Sequence, residues 1–362
     1  MLVSRADRGG HPRYCAELAN ALDAEGAEVV VIEPAAGFAA HDHAAAITNE
    51  AISGPDVGWL RQELEIAKRL LSHRKLGGLV VFQDTSPIRL VLVALLRLSR
   101  QLAPVTMVHN TEPHDRSFQE RLKHVAASAA LAIPHRVLVH NDDQRALLAQ
   151  RPGIDADRID VVAHGTWSTS LVGATGTPRS ERTSILVFGV MRENSGIDLL
   201  VDAAAEIERE FPTLTFIVSG KPASDDVRDQ LYALAQYDAF DVRPEFVDDA
   251  RAEALFTAAD WVLVPYVNYT SESGVLIMAI SRGVPVITFG SSSVANRSRA
   301  LGLGPVPPTV SNPNTDPVAN LIAAIGLAAD ASDADYLDWV ANLERAREVF
   351  SWQSHAQTIL DP

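Results

Sequence analysis

Cysteine is nearly missing from this 362-residue chain: Cys15 stands alone. One cysteine builds no disulfide framework and no thiolate metal cluster, so the expected setting is a reducing cytoplasm. Long apolar runs are missing too. The longest candidate, Leu90 to Leu96, has seven residues before Arg97 ends it. A membrane-spanning helix needs roughly 20, and no signal peptide is visible. Positive charge is in deficit, with 31 basic against 46 acidic residues for a net charge of −15. That argues against a general nucleic-acid footprint or a broad electrostatic membrane footprint, though not against a local basic patch. The chain carries no Ser/His/Asp triad signature, no Gly-x-x-x-x-Gly-Lys-Ser/Thr loop and no Gly-x-Gly-x-x-Gly. The common hydrolase, kinase and dinucleotide readings fall away with them.

What is present reads as a soluble globular protein, 47% hydrophobic and 21% charged, long enough for two domains with a sizeable core in each. Short β-rich runs alternate with helical patterns. In the first half the strands are Leu2–Ser4, Glu28–Ile32, Gly78–Phe82, Pro104–His109, Arg136–His140 and Asp160–Ala163, with helices near 11–24, 57–75, 88–102, 116–131 and 142–150. Residues 36–56 read as a surface excursion. The opening MLVSRADRGG looks like the tail of a strand followed at once by its loop, as though the first strand were short or the gene began a few residues earlier. The second half repeats the scheme with strands at Ser184–Gly189, Thr215–Ser219, Asp241–Phe246, Trp261–Val264 and Pro285–Phe289, and it closes on helices at 333–349 and 351–360. Alternation of this kind predicts parallel sheets covered on both faces. The expected division is a first domain at 1–167, a linker at 168–183, a second domain at 184–345 and a C-terminal helical segment at 346–362 that packs back toward the first.

In open α/β sheets, ligands bind beyond the carboxyl ends of the strands, and the polar punctuation falls there. After the first strand come Gly9 and Gly10, whose backbone can approach a phosphate or sugar at the positive end of the next helix; an ordinary tight turn is the alternative. After the fourth comes the cluster His109, Asn110, Glu112, His114 and Asp115. A histidine there can polarise a hydroxyl or bond a sugar near neutral pH. His109 and His114 lack a convincing third ligand for a metal. His140 and His164 read as structural. In the second half Gly189, Arg192 and Lys221 lie on two loops; two cations converging on one spot would stabilise a diphosphate leaving group. The stretch Ser271-Glu272-Ser273-Gly274-Val275 forms a helix mouth suited to an anion, with Glu272 either pointing away or bonding a sugar hydroxyl.

Taken in order, RGGHPRYCAELANAL, VTMVHNTEPHD, VVAHGTW, ILVFGVMRENSGIDLLVDAAAEI, FIVSGKP and SESGVLIMAISRGVPVI resemble the family-4 (group 1) retaining glycosyltransferases of GT-B fold over nearly the whole chain. The resemblance implies two Rossmann-like domains, an N-terminal acceptor domain and a C-terminal nucleotide-sugar donor domain, facing across a cleft. It implies glycosyl transfer from a nucleotide-diphosphate sugar to a glycan or glycolipid hydroxyl, with retention and without metal or other cofactor. It further implies a cytoplasmic protein of bacterial cell-envelope or exopolysaccharide synthesis. A patch such as Arg116, Arg121, Lys123 and His124 could touch the inner membrane face, against the alternative of a solvated helix face. On this resemblance His109, Arg192 and Lys221 carry the catalysis. Gly9, Gly10, Gly189, Ser195, Glu272, Ser273, Gly274 and Val275 hold the donor, and Asn110, His114 and Asp115 hold the acceptor. Ser195 stands where the family has a lysine, and Thr270 and Met278 stand where it has two glutamates. These departures keep open a catalytically degenerate protein that binds or scaffolds an active partner. A nucleotide-sugar epimerase would want more cleft carboxylates than these loops offer.

Overall fold

The computed structural model describes residues 1–6, 10–34, 41–54, 56, 58–73, 75, 77–83, 96, 102–111, 129, 131–133, 135–167, 182–308 and 316–361. The chain divides into two compact units: Met1–Gly165 with Thr270–Glu272 and Phe350–Pro362, and Thr166–Tyr269 with Ser273–Val349.

The first unit is built on β1 (Leu2–Val3), α1 (Gly10–Ala24), β2 (Val30–Pro34), β3 (Thr48–Ile52), α2 (Trp59–His73), β4 (Gly78–Phe82), β5 (Leu102–Val108), β6 (Arg136–Val139), α3 (Asp142–Ala149) and β7 (Ile159–Val161). Its sheet is parallel throughout, in the order β3-β2-β1-β4-β5-β6-β7. The order reverses between β1 and β4, which puts the crevice expected of such sheets beyond those two strands. Val3, Val30, Ile32, Val80 and Phe82 form one wall of its core, against Ile66 and Leu70 of α2.

Residues 36–56 are not a mere excursion. Thr48–Ile52 pairs with β2 as the sheet edge, Val30 opposite Thr48 through Pro34 opposite Ile52. The sequence TNEAI hides this strand because only Ile52 is buried. Main-chain hydrogen bonds hold it, so no apolar alternation was required. The expected helices near 88–102 and 116–131, and the basic patch at 116–124, lie outside the described residues apart from Leu96, Leu102, Ala129 and Leu131. Of these, Leu102 opens β5.

In the second unit come β8 (Ser184–Phe188), α4 (Ile197–Glu210), β9 (Thr215–Ser219), α5 (Asp225–Leu234), β10 (Phe240–Arg243), α6 (Asp249–Ala258), β11 (Trp261–Leu263), α7 (Gly274–Arg282), β12 (Val286–Ile287), α8 (Ser293–Leu301), α9 (Pro317–Ala329) and α10 (Asp333–Val349). The parallel sheet runs β10-β9-β8-β11-β12 and reverses between β8 and β11. Helix starts follow their side chains: Ser224, Asp248, Ser273, Ser292 and Asp316 each accept a backbone N–H of the first turn, as N-caps do. β10 stops at Arg243, short of the expected Phe246, because Pro244 has no N–H to give the ladder.

α11 (Trp352–Leu360) belongs to the first unit. It buries Trp352, His355, Ala356 and Ile359, the i, i+3, i+4, i+7 stripe of an amphipathic helix. Arg136 of β6 closes its C-terminal end, donating to the carbonyls of Thr358, Ile359 and Asp361 at 2.7, 3.0 and 2.6 Å, a cation where the helix dipole wants one. Trp352 lies so tightly over Gly165 that a first side-chain carbon there would stand 2.1 Å from the indole. We therefore expect Trp352→Ala to destabilise the first unit by about 3 kcal/mol, read as a lower urea midpoint and faster amide exchange along α11.

Candidate functional site

Three loops of the second unit converge at its topological switch point. After β8 the chain turns back at Gly189, whose N–H donates to Ser219 O at 3.2 Å; Met191 N–H donates to Lys221 O at 3.0 Å, and Ala223 N–H returns to Met191 O at 2.8 Å. The loop after β8 is thus zipped to the loop after β9. Glycine is required at the junction: a Cβ on Gly220 would sit 1.7 Å from Gly189 O. Further along, Gly196 takes φ +72° with no room for a Cβ against Pro265 O, 2.0 Å away. That contact ties the β8 loop to the one after β11.

α7 opens at the same place. Gly189 approaches Val275, with 3.3 Å between the position of its absent Cβ and Val275 Cγ2. Ser273 Oγ accepts from Leu276 N–H at 3.2 Å, which leaves the N–H groups of Gly274 and Val275 directed past the helix end, as the first donors of any helix are. Gly274 is exposed, with open space where its side chain would be. Tyr266, half-buried, hydrogen-bonds Ser273; burial raises its phenol pKa, while that bond and the Arg192 guanidinium pull it down. Arg192 and Lys221 are both exposed on the zipped loops. Ser195 is buried and turns its hydroxyl inward: Oγ accepts from Arg192 N–H at 2.9 Å, which closes the short turn ahead of α4. Met278 is half-buried within α7, and Glu272 is half-buried just before it.

In the first unit, Gly10 is exposed at the first position of α1. Gly9, His114 and Asp115 lie outside the described residues, and Asn110 is exposed. His109 stands at the end of β5, half-buried, with both ring nitrogens bonded: Nδ1 to His140 Nε2 at 3.0 Å and Nε2 to Gln83 Oε1 at 3.2 Å. Around it is a cluster that sequence reading had scattered. Tyr14 of α1 lies edge-on to His109, His140, His164, His355 and Trp352, with ring centroids 4.9 to 5.9 Å away. Its hydroxyl meets His355 Nε2 at 2.9 Å. His355 Nδ1 faces Ala163 O at 2.9 Å and so carries the proton, which makes Tyr14 the donor. Burial, with a further push from His164, lowers the His355 pKa to about 3; burial lowers that of His164 to about 4. Burial first, then the neighbouring histidines, holds His109 well below the ordinary value. Gln144, the third residue of α3, locks two of these positions by receiving His140 N–H and donating to His109 O. Tyr14, Gln83, Gln144 and Tyr266 were missed as site residues because each looks apolar-periodic or incidental in its own segment.

Comparison with known proteins places the chain. Residues 8–166 match the model of Glycosyltransferase Family 4, and residues 182–307 match that of Glycosyl transferases group 1. The chain belongs to the family 4, group 1 glycosyltransferases. Among curated relatives, the D-inositol 3-phosphate glycosyltransferase of Nocardia farcinica is 28% identical over 249 residues, 64% of this chain and 54% of that protein. That of Rhodococcus jostii is 28% identical over 261 residues, 66% and 54%. This member of the family therefore spans about half the length of the curated relatives it matches. Its fold is shared with sucrose-phosphate synthase from Thermosynechococcus elongatus, TM-score 0.72 at 18% identity over 99% of this chain and 96% of that one. It is shared too with Anabaena HepE in complex with UDP, TM-score 0.70 at 15% identity over 99% and 97%. The GT-B architecture is thus established, and no helix among the described residues is long and apolar enough to cross a membrane.

Two outcomes follow from this geometry. Gly220→Ala forces the zipped loops apart and costs about 1–3 kcal/mol, the scale of overpacking, seen as a lower melting temperature. The histidine cluster sets an acid limit. Unfolded, His164 and His355 titrate near 6.5; folded, near 4 and 3. Between those values the unfolded chain binds more protons. Stability is therefore full above pH 6.5 and declines as pH falls toward 4 and 3. His355→Gln flattens that decline in urea titrations across pH 3.5–7.

Proposed function

We propose that the chain transfers a glycosyl group from a nucleotide-diphosphate sugar to the hydroxyl of a glycan or lipid-linked glycan, with retention and without a metal, in cell-envelope or exopolysaccharide synthesis at the inner membrane face. The observation that carries this reading is the meeting, at the switch point of the second sheet, of an open α7 N-terminus with two loops bearing exposed cations. Gly274 and Val275 N–H groups, with the end of the helix dipole, take the diphosphate. Ser273 and Gly189 shape the mouth, and Glu272 bonds a sugar hydroxyl. Arg192 and Lys221 offset the charge that develops on the leaving group. Ser195, whose hydroxyl closes the Arg192 turn, is assigned to the donor with them. In the first unit, His109 with Asn110, His114 and Asp115 is assigned to the sugar and acceptor, and Gly9 and Gly10 to the head of α1.

A second reading has its own support. Met278 supplies no carboxylate where the family has a glutamate, and Ser195 supplies no cation. Both fit a degenerate member that binds nucleotide and partners an active enzyme.

Thermal shift with UDP, GDP and ADP tests the proposal, since a ligand of the native state raises its melting temperature. One of the three is expected to do so. Arg192→Ala and Lys221→Ala should each weaken that nucleotide tenfold to a hundredfold, the effect of losing a charged hydrogen bond worth about 1.5–3 kcal/mol. No shift with any nucleotide sinks the proposal. A shift without slow hydrolysis of any nucleotide sugar favours the scaffold reading.

A further inference from the structure

A row of hydrogen bonds crosses the carboxyl edge of the first sheet, strand by strand. It runs from Gln83, which follows β4, to His109 after β5, to His140 after β6, and ends on the carbonyl of Val162 after β7. The contacts are Gln83 Oε1 to His109 Nε2 at 3.2 Å, His109 Nδ1 to His140 Nε2 at 3.0 Å, and His140 Nδ1 to Val162 O at 3.1 Å. Each contact needs one hydrogen. Both ends, as drawn, are acceptors, and two neutral imidazoles bring two hydrogens for three contacts.

The shortfall has a direction. Val162 O can only accept, so His140 Nδ1 carries its proton and Nε2 is bare. His109 must then give its Nδ1 proton to His140, and its own Nε2 is bare, facing a carbonyl oxygen. Two rearrangements supply the missing hydrogen. One is a turn of the Gln83 amide, whose nitrogen and oxygen are alike in shape and set only by the network. The other is a proton on the pair. Gln83 is fully buried, and its Nε2 has no hydrogen-bond partner in the orientation drawn. That amide is therefore free to choose its partner by the protonation of the ring.

We propose that Gln83 is a positioning residue that sets the charge of the His109–His140 pair: its N–H faces His109 Nε2 while the pair is neutral, and its carbonyl faces that nitrogen once the pair has taken up one proton. The groups packed around the pair decide which state holds at rest. On α1, His11 is edge-on to His109 at 4.7 Å and Tyr14 at 4.9 Å. The Tyr14 hydroxyl is committed to His355. His164 lies 5.3 Å and His355 6.0 Å from His140, and Gln144 of α3 is spent on the two backbones. Burial comes first in disfavouring a charge on His109, and among the described residues the histidines His11, His140, His164 and His355 add to it, so the neutral pair is the resting state. Near neutral pH a proton arrives only when an anionic ligand compensates it; without one, acid must supply it. In the glycosyl-transfer reading, on which this last step rests, His109 gives the substrate a positive charge on demand, not a free ring nitrogen.

Nitrogen-15 spectra of histidine-labelled protein across pH test the proposal without any substrate. In the wild type the neutral His109 should carry its proton on Nδ1. On acidification Nε2 should gain a proton in a single step that also moves the Gln83 side-chain amide resonances. In Gln83→Glu the ionised carboxylate offers only acceptors, so the His109 midpoint should rise by about one pH unit or more, tenfold in proton affinity. In Gln83→Met, of similar shape and with no hydrogen bond to offer, the midpoint should not rise. A neutral His109 protonated at Nε2 in the wild type overturns the proposal. So does a Gln83→Glu midpoint unchanged in protein whose His355 resonance still reports the native fold. Should Gln83→Glu fail to fold, the wild-type tautomer and the Gln83→Met titration decide alone. The pH profile of nucleotide-sugar hydrolysis should move with the midpoint in Gln83→Glu. A profile that stays put while the midpoint moves keeps the switch and removes His109 from the reaction.

Discussion

A parallel sheet delivers every strand end to one edge, and each polar group stranded there must find a partner. In the first unit that constraint is met by rings and amides. Gln83, His109 and His140 follow three adjacent strands and are bonded to one another. In the second it is met by the backbone, where Gly189, Met191, Gly220 and Ala223 zip two loops together. Buried polar groups are costly when unpaired, so these networks hold the loops in register beyond the carboxyl ends of the strands.

The two edges solve the problem with different chemistry, and the difference bears on function. Backbone amides carry no titratable proton, so the N–H groups at the α7 mouth do not change with pH. The histidine edge depends on proton number. Its rings are stacked edge-on around Tyr14, and the C-terminal helix enters through His355 and Trp352.

Much of the fold was legible beforehand. Thr215–Ser219 and Gly78–Phe82 were read to the residue, because a buried parallel strand is an apolar run between polar ends. The mouth of α7 was legible from a serine cap, a glycine and an apolar helix closed by Gly283. Less was legible where side-chain pattern does not carry the structure. β3 has one buried side chain, and Pro244 ended β10 early for want of a single N–H. Ser195 stands at the place read as the family's lysine, and the sequence did not show that its hydroxyl also closes its own turn. His140 and His164, set aside as structural, turned out to pack against His109's cluster.

By itself the sequence determined two parallel α/β units, the membership of the family, and the strand ends at which chemistry could occur. Those properties rest on periodicity and short motifs, which are local. Only the tertiary structure decided which of those ends share hydrogens. Tyr14 and His355 are 341 residues apart in sequence, and His109 and Gln83 are 26 apart. A hydrogen bond needs its one donor and one acceptor within about 3 Å, and no pattern along the chain records which distant groups will meet at that distance.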